Sequence, residues 1–412
     1  NAVDECNKRL ENSPYDPEIW TERAGYFLAL NYPELAAGDA YKAGLLFDRA
    51  LKSDEKEPRL RAYHILGQAL YDCHCHLEAA EFWEDIAKKV LEPSAQVKAA
   101  EMRVLLKRKE EAAAAAGLSG TLQEQKDRLK DGGVFTVHYP WMQERHRTRT
   151  PEIIAMVNEE LKNIEPQSRY LGQSTLAGRS DMLGMFASRD IPEGECILID
   201  RTATGACSNS EGLICENCYG RVKCPPLQAP CCSNILNDAA HATRDINKGS
   251  YFVYCSTACY HLAMTTYHQA ICGKDFSWLT EPAKGLEANA SPLRPLLMLR
   301  FLASCVQAGP ETSPLDHPLI ARLQPLANRG HVDVFTLTES VAIPIRILEQ
   351  LGVDVFANPN FDTMVLHTIW TRIANNKAGC TDPKRGFIDA INPFVPLFNH
   401  SCEPNIECKR ED

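Results

Sequence analysis

Three pairs of side chains between residues 215 and 272 have the make-up of metal ligands: Cys215-x2-Cys218, Cys255-x3-Cys259 and His268-x3-Cys272. Zinc takes four thiolate or imidazole ligands tetrahedrally, and a short loop or one helical turn can present two of them to one ion. A site filled by four protein groups has no open position for an activated water, so its work is to fold a small loop-rich segment rather than to catalyse. Eight of the 17 cysteines lie in this stretch, Cys224, Cys231 and Cys232 among them. Such crowding in a long chain favours metal in a reducing compartment over a disulfide scaffold. The bland alternative is that single cysteines serve as small buried hydrophobes. Cys73-His74-Cys75-His76 is a poorer candidate, because consecutive residues on a helix point in different directions and cannot all face one ion.

The chain that must position these groups has 412 residues, 44% hydrophobic and 24% charged, enough for two or three domains with proper cores. A formal charge of -10 argues against sequence-independent nucleic-acid binding and suits a basic protein partner such as a lysine-rich tail. No run of about 18 apolar residues and no charged-then-apolar leader is visible, so neither a membrane span nor a secretory signal is expected. The expectation is a cytoplasmic or nuclear monomer. The sequence opens at Asn1 rather than Met, which suggests that further residues precede it.

From Pro17 to Pro93 the sequence reads as two helix-turn-helix units. Leu66-Gly67-Gln68-Ala69-Leu70-Tyr71, then Ala80, Trp83 and Pro93, is close to the spacing of a tetratricopeptide repeat; Trp20, Ala24, Tyr26 and Ala36 form a looser copy. Ala24, Gly67 and Ala80 would let helices approach, with Trp20, Tyr26, Tyr71 and Trp83 filling the space between them. Two units are too few to stand free, so the helix from Ser94 to about Ala116 is expected to cap or dock them. Such a region is a packing scaffold or a peptide groove. Gly117 to Gly133 reads as a linker, and Pro151 to Glu165 as a short helix.

Leu183 to Asp200 alternates an apolar strand, an Ile191-Pro192-Glu193-Gly194 turn and a second apolar run, the pattern of a β-hairpin. From Ser291 to Asn376 the apolar spacing is helical, as in Leu296, Leu299, Arg300 and Phe301, then Ile343, Ile345, Leu348 and Leu351. Near the C-terminal edge stands Leu397-Phe398-Asn399-His400-Ser401-Cys402-Glu403-Pro404-Asn405, a tight polar turn after apolar residues.

The Asn-His-Ser-Cys-x-Pro-Asn turn resembles the cofactor-binding knot of SET-domain lysine methyltransferases. Leu183-Gly184-Met185-Phe186-Ala187-Ser188-Arg189-Asp190-Ile191 resembles the opening hairpin of that domain, and the cysteine pairs between them resemble a MYND finger. Their order is that of the SET-and-MYND family, the N-terminal helices resembling a subgroup that includes fungal proteins. The resemblance covers residues 170–412, and the helices less specifically. It implies an α+β multidomain protein: tetratricopeptide-like helices at 1–132, a linker and short helix at 133–169, a split β-rich SET domain at 170–210 and 381–412, a MYND finger at 211–275 and a helical insertion at 276–380.

The resemblance further implies an S-adenosylmethionine-dependent protein-lysine methyltransferase whose substrate is a lysine-containing segment of a histone or another protein. Gly184, Asn375, Asn399 and His400 take the cofactor-contacting places, with Asn376 the neighbour of interest. Two structural zinc ions are implied, one held by Cys215, Cys218, Cys255 and Cys259. The other is held by His268 and Cys272 with Cys232 and a companion, Cys231 or Cys224, of which Cys231 is preferred. MYND fingers bind partners, often proline-rich peptides. Two places depart from the family pattern. Asp181-Met182-Leu183-Gly184 stands where the family has Lys-Gly-x-Gly, retaining Gly184 alone. The family also continues past the knot to a catalytic Tyr and three cysteines that join the knot cysteine, Cys402, on a third zinc, so the resemblance implies a module cut short at Asp412. The competing reading is an interaction adaptor in which finger and helices recruit partners around a vestigial SET core.

Overall fold

The computed structural model describes residues 2–49, 56–90, 93–115, 132–148, 150–162, 169–173, 183–200, 202–207, 214–220, 222, 227–228, 253–280, 293–310, 312–324, 332–382, 386–399 and 401–408. It is an α+β structure in which helices are joined by small antiparallel sheets. In chain order the elements are α1 (Ala2–Asn12), α2 (Pro17–Ala29), α3 (Pro33–Arg49), α4 (Lys56–Asp72), α5 (His76–Val90), α6 (Pro93–Ala115), β1 (Gly132–Phe135), α7 (Glu144–Arg147), α8 (Pro151–Lys162), β2 (Arg169–Gln173), β3 (Leu183–Ala187) and β4 (Thr204–Cys207). They continue with β5 (Leu227–Gln228), β6 (Val253–Tyr254), α9 (Thr257–Thr266), α10 (His268–Ile271), α11 (Ser277–Thr280), α12 (Arg294–Ala308), α13 (Pro318–Ala321), β7 (Val332–Phe335), α14 (Ile343–Leu351), α15 (Thr363–Asn376), β8 (Lys377–Asp382) and β9 (Gly386–Ile391). The chain divides into two compact units, Asn1–Thr136 with Asn328–Thr368, and Val137–Ala327 with Ile369–Asp412.

The first unit is built on α1 to α6. Asp16 caps α2 by accepting from the Glu18 N–H, and Pro17 follows it where the missing donor costs nothing. Gly67 of α4 leaves room for the Trp83 ring of α5; a Cβ at 67 would lie 2.3 Å from that ring. Trp20 and Trp83 are buried as the repeat-like spacing predicts, whereas Tyr71 faces solvent. α6 packs on α5 in the capping place. Residues 328–368, read from sequence as part of the helical stretch, belong to this unit and are tied down by a buried ionic network. The Arg23 guanidinium donates to both Asp39 oxygens at 2.6 and 2.9 Å, to Asp362 at 2.6 Å and to Asn7 at 2.7 Å, while Lys42 donates to the Val355 carbonyl at 3.0 Å.

The Cys73–His76 run forms the α4–α5 turn, with His74 in the left-handed region at φ 61°. Its groups serve packing. The Gly133 N–H donates to the Cys73 carbonyl, and the Cys75 thiol to the Phe335 carbonyl at 3.2 Å, fastening the antiparallel β1–β7 pair to the turn. That pair was not foreseen: Gly132 and Gly133 read as the end of a linker, and Val332–Phe335 lay within a stretch of helical spacing.

In the second unit β4, β9 and β8 form an antiparallel sheet, and β2 pairs with β3. The predicted hairpin over Leu183 to Asp200 is corrected here. The turn forms, with Gly194 at φ 82° and the Glu195 N–H donating to the Pro192 carbonyl, but β3 pairs with the preceding β2 and residues 195–200 form no strand. The reason lies in Asp200, whose carboxylate accepts from the Phe394 and Val395 N–H groups and so holds the second arm on the C-terminal segment. Val157 and Leu161 of α8, Met185 of β3, Phe394 and Leu397 form the apolar cluster beneath this arrangement, with Leu198 and Phe398 packed against it.

Candidate functional site

The polar loop begins where this cluster ends. Phe394 and Leu397 are anchored in it, and the turn Val395–Leu397 delivers Phe398 and Asn399 beside β3. Asp200 fixes that turn, its Oδ2 lying 2.9 Å from the Phe394 nitrogen and 2.8 Å from that of Val395. Burial raises the Asp200 carboxyl above its ordinary value, and the two N–H donors oppose the shift.

Gly184 and Asn399 are brought together. A Cβ on Gly184 would sit 3.1 Å from Asn399 Nδ2 and 3.2 Å from the Phe186 ring, so glycine is what admits the amide at this distance from the strand. Beyond Asn399 the loop turns back on itself, Ser401 Oγ donating to the Glu403 carbonyl and accepting from the Glu403 N–H. Residues 401–408, including Cys402, are exposed. His400 lies outside the described residues.

The two asparagines ending α15 divide their work. Asn376 is buried: its Oδ1 accepts from the Gln324 N–H, and its Nδ2 donates to the Gln324 and Arg372 carbonyls. Asn376 therefore clamps the helix end to Gln324. Asn375, the residue the resemblance selects, stands half-buried at the same helix end.

The cysteines of the first predicted metal set converge. The Sγ atoms of Cys215, Cys218, Cys255 and Cys259 all lie within 4.8 Å of one another, those of Cys218 and Cys255 at 3.5 Å and of Cys255 and Cys259 at 3.6 Å. A tetrahedral zinc with bonds of about 2.3 Å needs sulfurs roughly 3.8 Å apart. The four side chains fit such an ion.

Local structure explains the convergence. Cys215 to Gly220 form a tight turn in which Tyr219 N–H donates to the Cys215 carbonyl and Cys215 N–H to that of Gly220, with Tyr219 at φ 59°. Cys255 follows β6, and Ser256 caps α9 by accepting from the Cys259 N–H, so Cys259 rises in the first helical turn. The Cys218 thiol, and then the Cys218, Cys255 and Asn217 backbone N–H groups, push the Cys215 thiol down to about 4, while donating to Cys215 drives Cys218 up. One thiolate with donors already aimed at it is the electrostatics a metal–thiolate centre needs.

The turn is seated on its surroundings. The Tyr219 hydroxyl donates to the Gly205 carbonyl of β4, and Gly205 admits the ring, since a Cβ there would lie 2.9 Å from it. Tyr267 donates to the Glu216 carbonyl, and buried Arg300 of α12 pairs with the Glu216 carboxylate. Tyr219 was not singled out in sequence, and Arg300 read only as one position in an apolar helical run.

His268 and Cys272, read as half of a second site, keep their one-turn spacing, and the Cys272 N–H donates to the His268 carbonyl. The His268 ring is buried, which lowers it to about 4, and its Nδ1 is 3.0 Å from the Tyr254 hydroxyl. A ring held at Nδ1 would offer Nε2 to a metal. Cys224, Cys231 and Cys232 lie outside the described residues. Among the described residues no helix is long and apolar enough to cross a membrane. No family model matches the chain, and no curated protein or solved structure gives a match.

Proposed function

We propose that this chain is an S-adenosylmethionine-dependent protein-lysine N-methyltransferase of the SET-and-MYND type, acting on a lysine-containing segment of a histone or another protein. The observation that carries the reading is the approach of the Asn399 amide to β3 at Gly184, where a Cβ would lie 3.1 Å from Nδ2, between two residues selected from separate motifs more than 200 positions apart. A glycine at the strand lets backbone and ligand approach closely, and an amide both donates and accepts, as a nucleoside or amino-acid end requires. Gly184 and Asn399, with His400 and Asn375, would hold the cofactor.

Methyl transfer to lysine needs a neutral amine, whereas free lysine titrates near 10.4. S-adenosylmethionine, when bound, supplies the methyl group on a positive sulfur, which itself disfavours an ammonium nearby. The protein's part is to hold the loop rigidly and exclude water, since positioning accounts for most of such a displacement. Asp200, Met185, Phe394 and Leu397 anchor the turn that leads to Asn399, which is itself exposed. The Cys215–Cys218–Cys255–Cys259 centre would hold a structural zinc, and its finger is a place for a proline-rich partner.

The test is a labelled-methyl assay on a proteome extract, comparing the protein with an Asn399→Ala, His400→Ala double variant. The parent is expected to label protein and the variant not to; equal labelling removes both residues from the proposal. The adaptor reading has one observation in its favour, a cavity of about 460 Å³ between α4, α5 and α6 lined by Tyr71, Trp83, Lys98, Met102 and Arg108. Calorimetry with S-adenosylmethionine separates the two, because an adaptor gives no saturable heat.

A further inference from the structure

The buried guanidinium beside the cysteine centre calls for explanation. Arg300 sits on α12, a helix otherwise filled with Leu297, Met298, Phe301 and Leu302, each fully buried. Its Nη2 pairs with the Glu216 carboxylate and lies 3.4 Å from the Glu216 carbonyl, and its plane stacks over the Tyr267 ring at 4.2 Å from the centroid. Nη1 is buried without a hydrogen-bond partner among the described residues. Burial pushes Arg300 down to about 9, and the Cys215 thiol acts in the opposite direction. One half-buried carboxylate is poor recompense for a charge buried so deeply.

A dication held by four thiolates carries a net charge of about −2, and the groups around such a centre orient its ligands and tune its affinity. Glu216 lies between Cys215 and Cys218, so Arg300 grips the metal turn itself. The same helix holds the finger at a second point: Gln307 Oε1 accepts from the Gln269 and Ala270 N–H groups, and its Nε2 donates to the Met264 carbonyl, at the joint of α9 and α10.

We infer that Arg300 is a positioning residue for the Cys215–Cys218–Cys255–Cys259 centre, pinning the Cys215–Cys218 turn to α12 through Glu216, and that metal occupancy is thereby coupled to the packing of α12. The inference rests on the cysteine centre and uses nothing of the methyltransferase reading, so its failure leaves that reading untouched.

Two measurements on the whole protein decide it. In competition with a chromophoric chelator, Arg300→Met is expected to bind zinc about 10- to 100-fold more weakly than the parent, and Arg300→Lys, which keeps the charge, to lose less than about tenfold. Zinc affinity of a folded Arg300→Met within about twofold of the parent overturns the inference. The second measurement needs no variant: hydrogen exchange over residues 294–308 of the parent is expected to quicken when zinc is stripped, while exchange in α2 and α3 stays as it was. Exchange in α12 that does not respond to zinc overturns the inference equally, whatever becomes of the variants.

Discussion

Glycine 184 matters for the side chain it lacks. Gly184→Ala would place a methyl 3.1 Å from Asn399 Nδ2, and since β3 is extended backbone the substitution costs the fold under about 1 kcal/mol. It is expected to weaken S-adenosylmethionine binding about tenfold or more, read by calorimetry, with the thermal midpoint nearly unchanged. Gly67→Ala is the matching control: a methyl 2.3 Å from Trp83 overpacks the α4–α5 contact, so a loss of about 1–3 kcal/mol in urea unfolding is expected with ligand binding intact. Sequence reached Gly184 and Asn399 because each stands in a motif of several residues. The resemblance selected Asn375 and left Asn376 as its neighbour of interest; the Gln324 clamp shows that Asn376 is occupied with structure. Arg300 and Asp200 escaped notice for the opposite reason, each a lone charge in an apolar run whose partners lie far away in sequence.

At the scale of elements, the cysteine turn was legible because its ligand pairs are local, with two residues between them on a turn and three between them at a helix start. Cys259→Ser should remove one of four thiolates, so cobalt-loaded variant protein is expected to show a weakened sulfur-to-metal absorption and weaker metal retention. The Leu183–Asp200 hairpin was misread because alternation defines a strand without saying which strand it pairs with; the Asp200 bonds to residues 394 and 395 settled that. The α4–α5 turn carries a pH dependence. Burial, then the charges of Lys109 and His74, lower His76 to about 4 from an ordinary 6.5. Between these values the unfolded chain binds the proton that the folded chain refuses, so stability is full above about pH 6.5 and declines as the pH falls toward 4. His76→Gln is expected to flatten that part of the stability profile, measured by urea unfolding at a series of pH values.

For the molecule as a whole, the first unit is discontinuous in sequence, and its closing contacts span some 300 positions, Arg23 to Asp362 and Lys42 to Val355 among them. No local pattern announces such pairs, which is why residues 328–368 read from sequence as part of one helical stretch. Asp39→Ala leaves Arg23 buried with half its partners gone, and a loss of about 3–5 kcal/mol is expected by denaturant titration. A fragment of residues 1–136 lacks Asp362, the Val355 carbonyl and β7, and should give a broad, low-temperature melt where the whole protein melts cooperatively. The central claim is that the loop at Asn399 and the strand at Gly184 together grip S-adenosylmethionine. Isothermal titration of that ligand into the protein, into Gly184→Ala and into Asn399→Ala tests it most directly: saturable one-to-one binding, weakened about tenfold or more in each variant, is the expected result, and no saturable heat in the parent, or equal affinity in all three proteins, would contradict it.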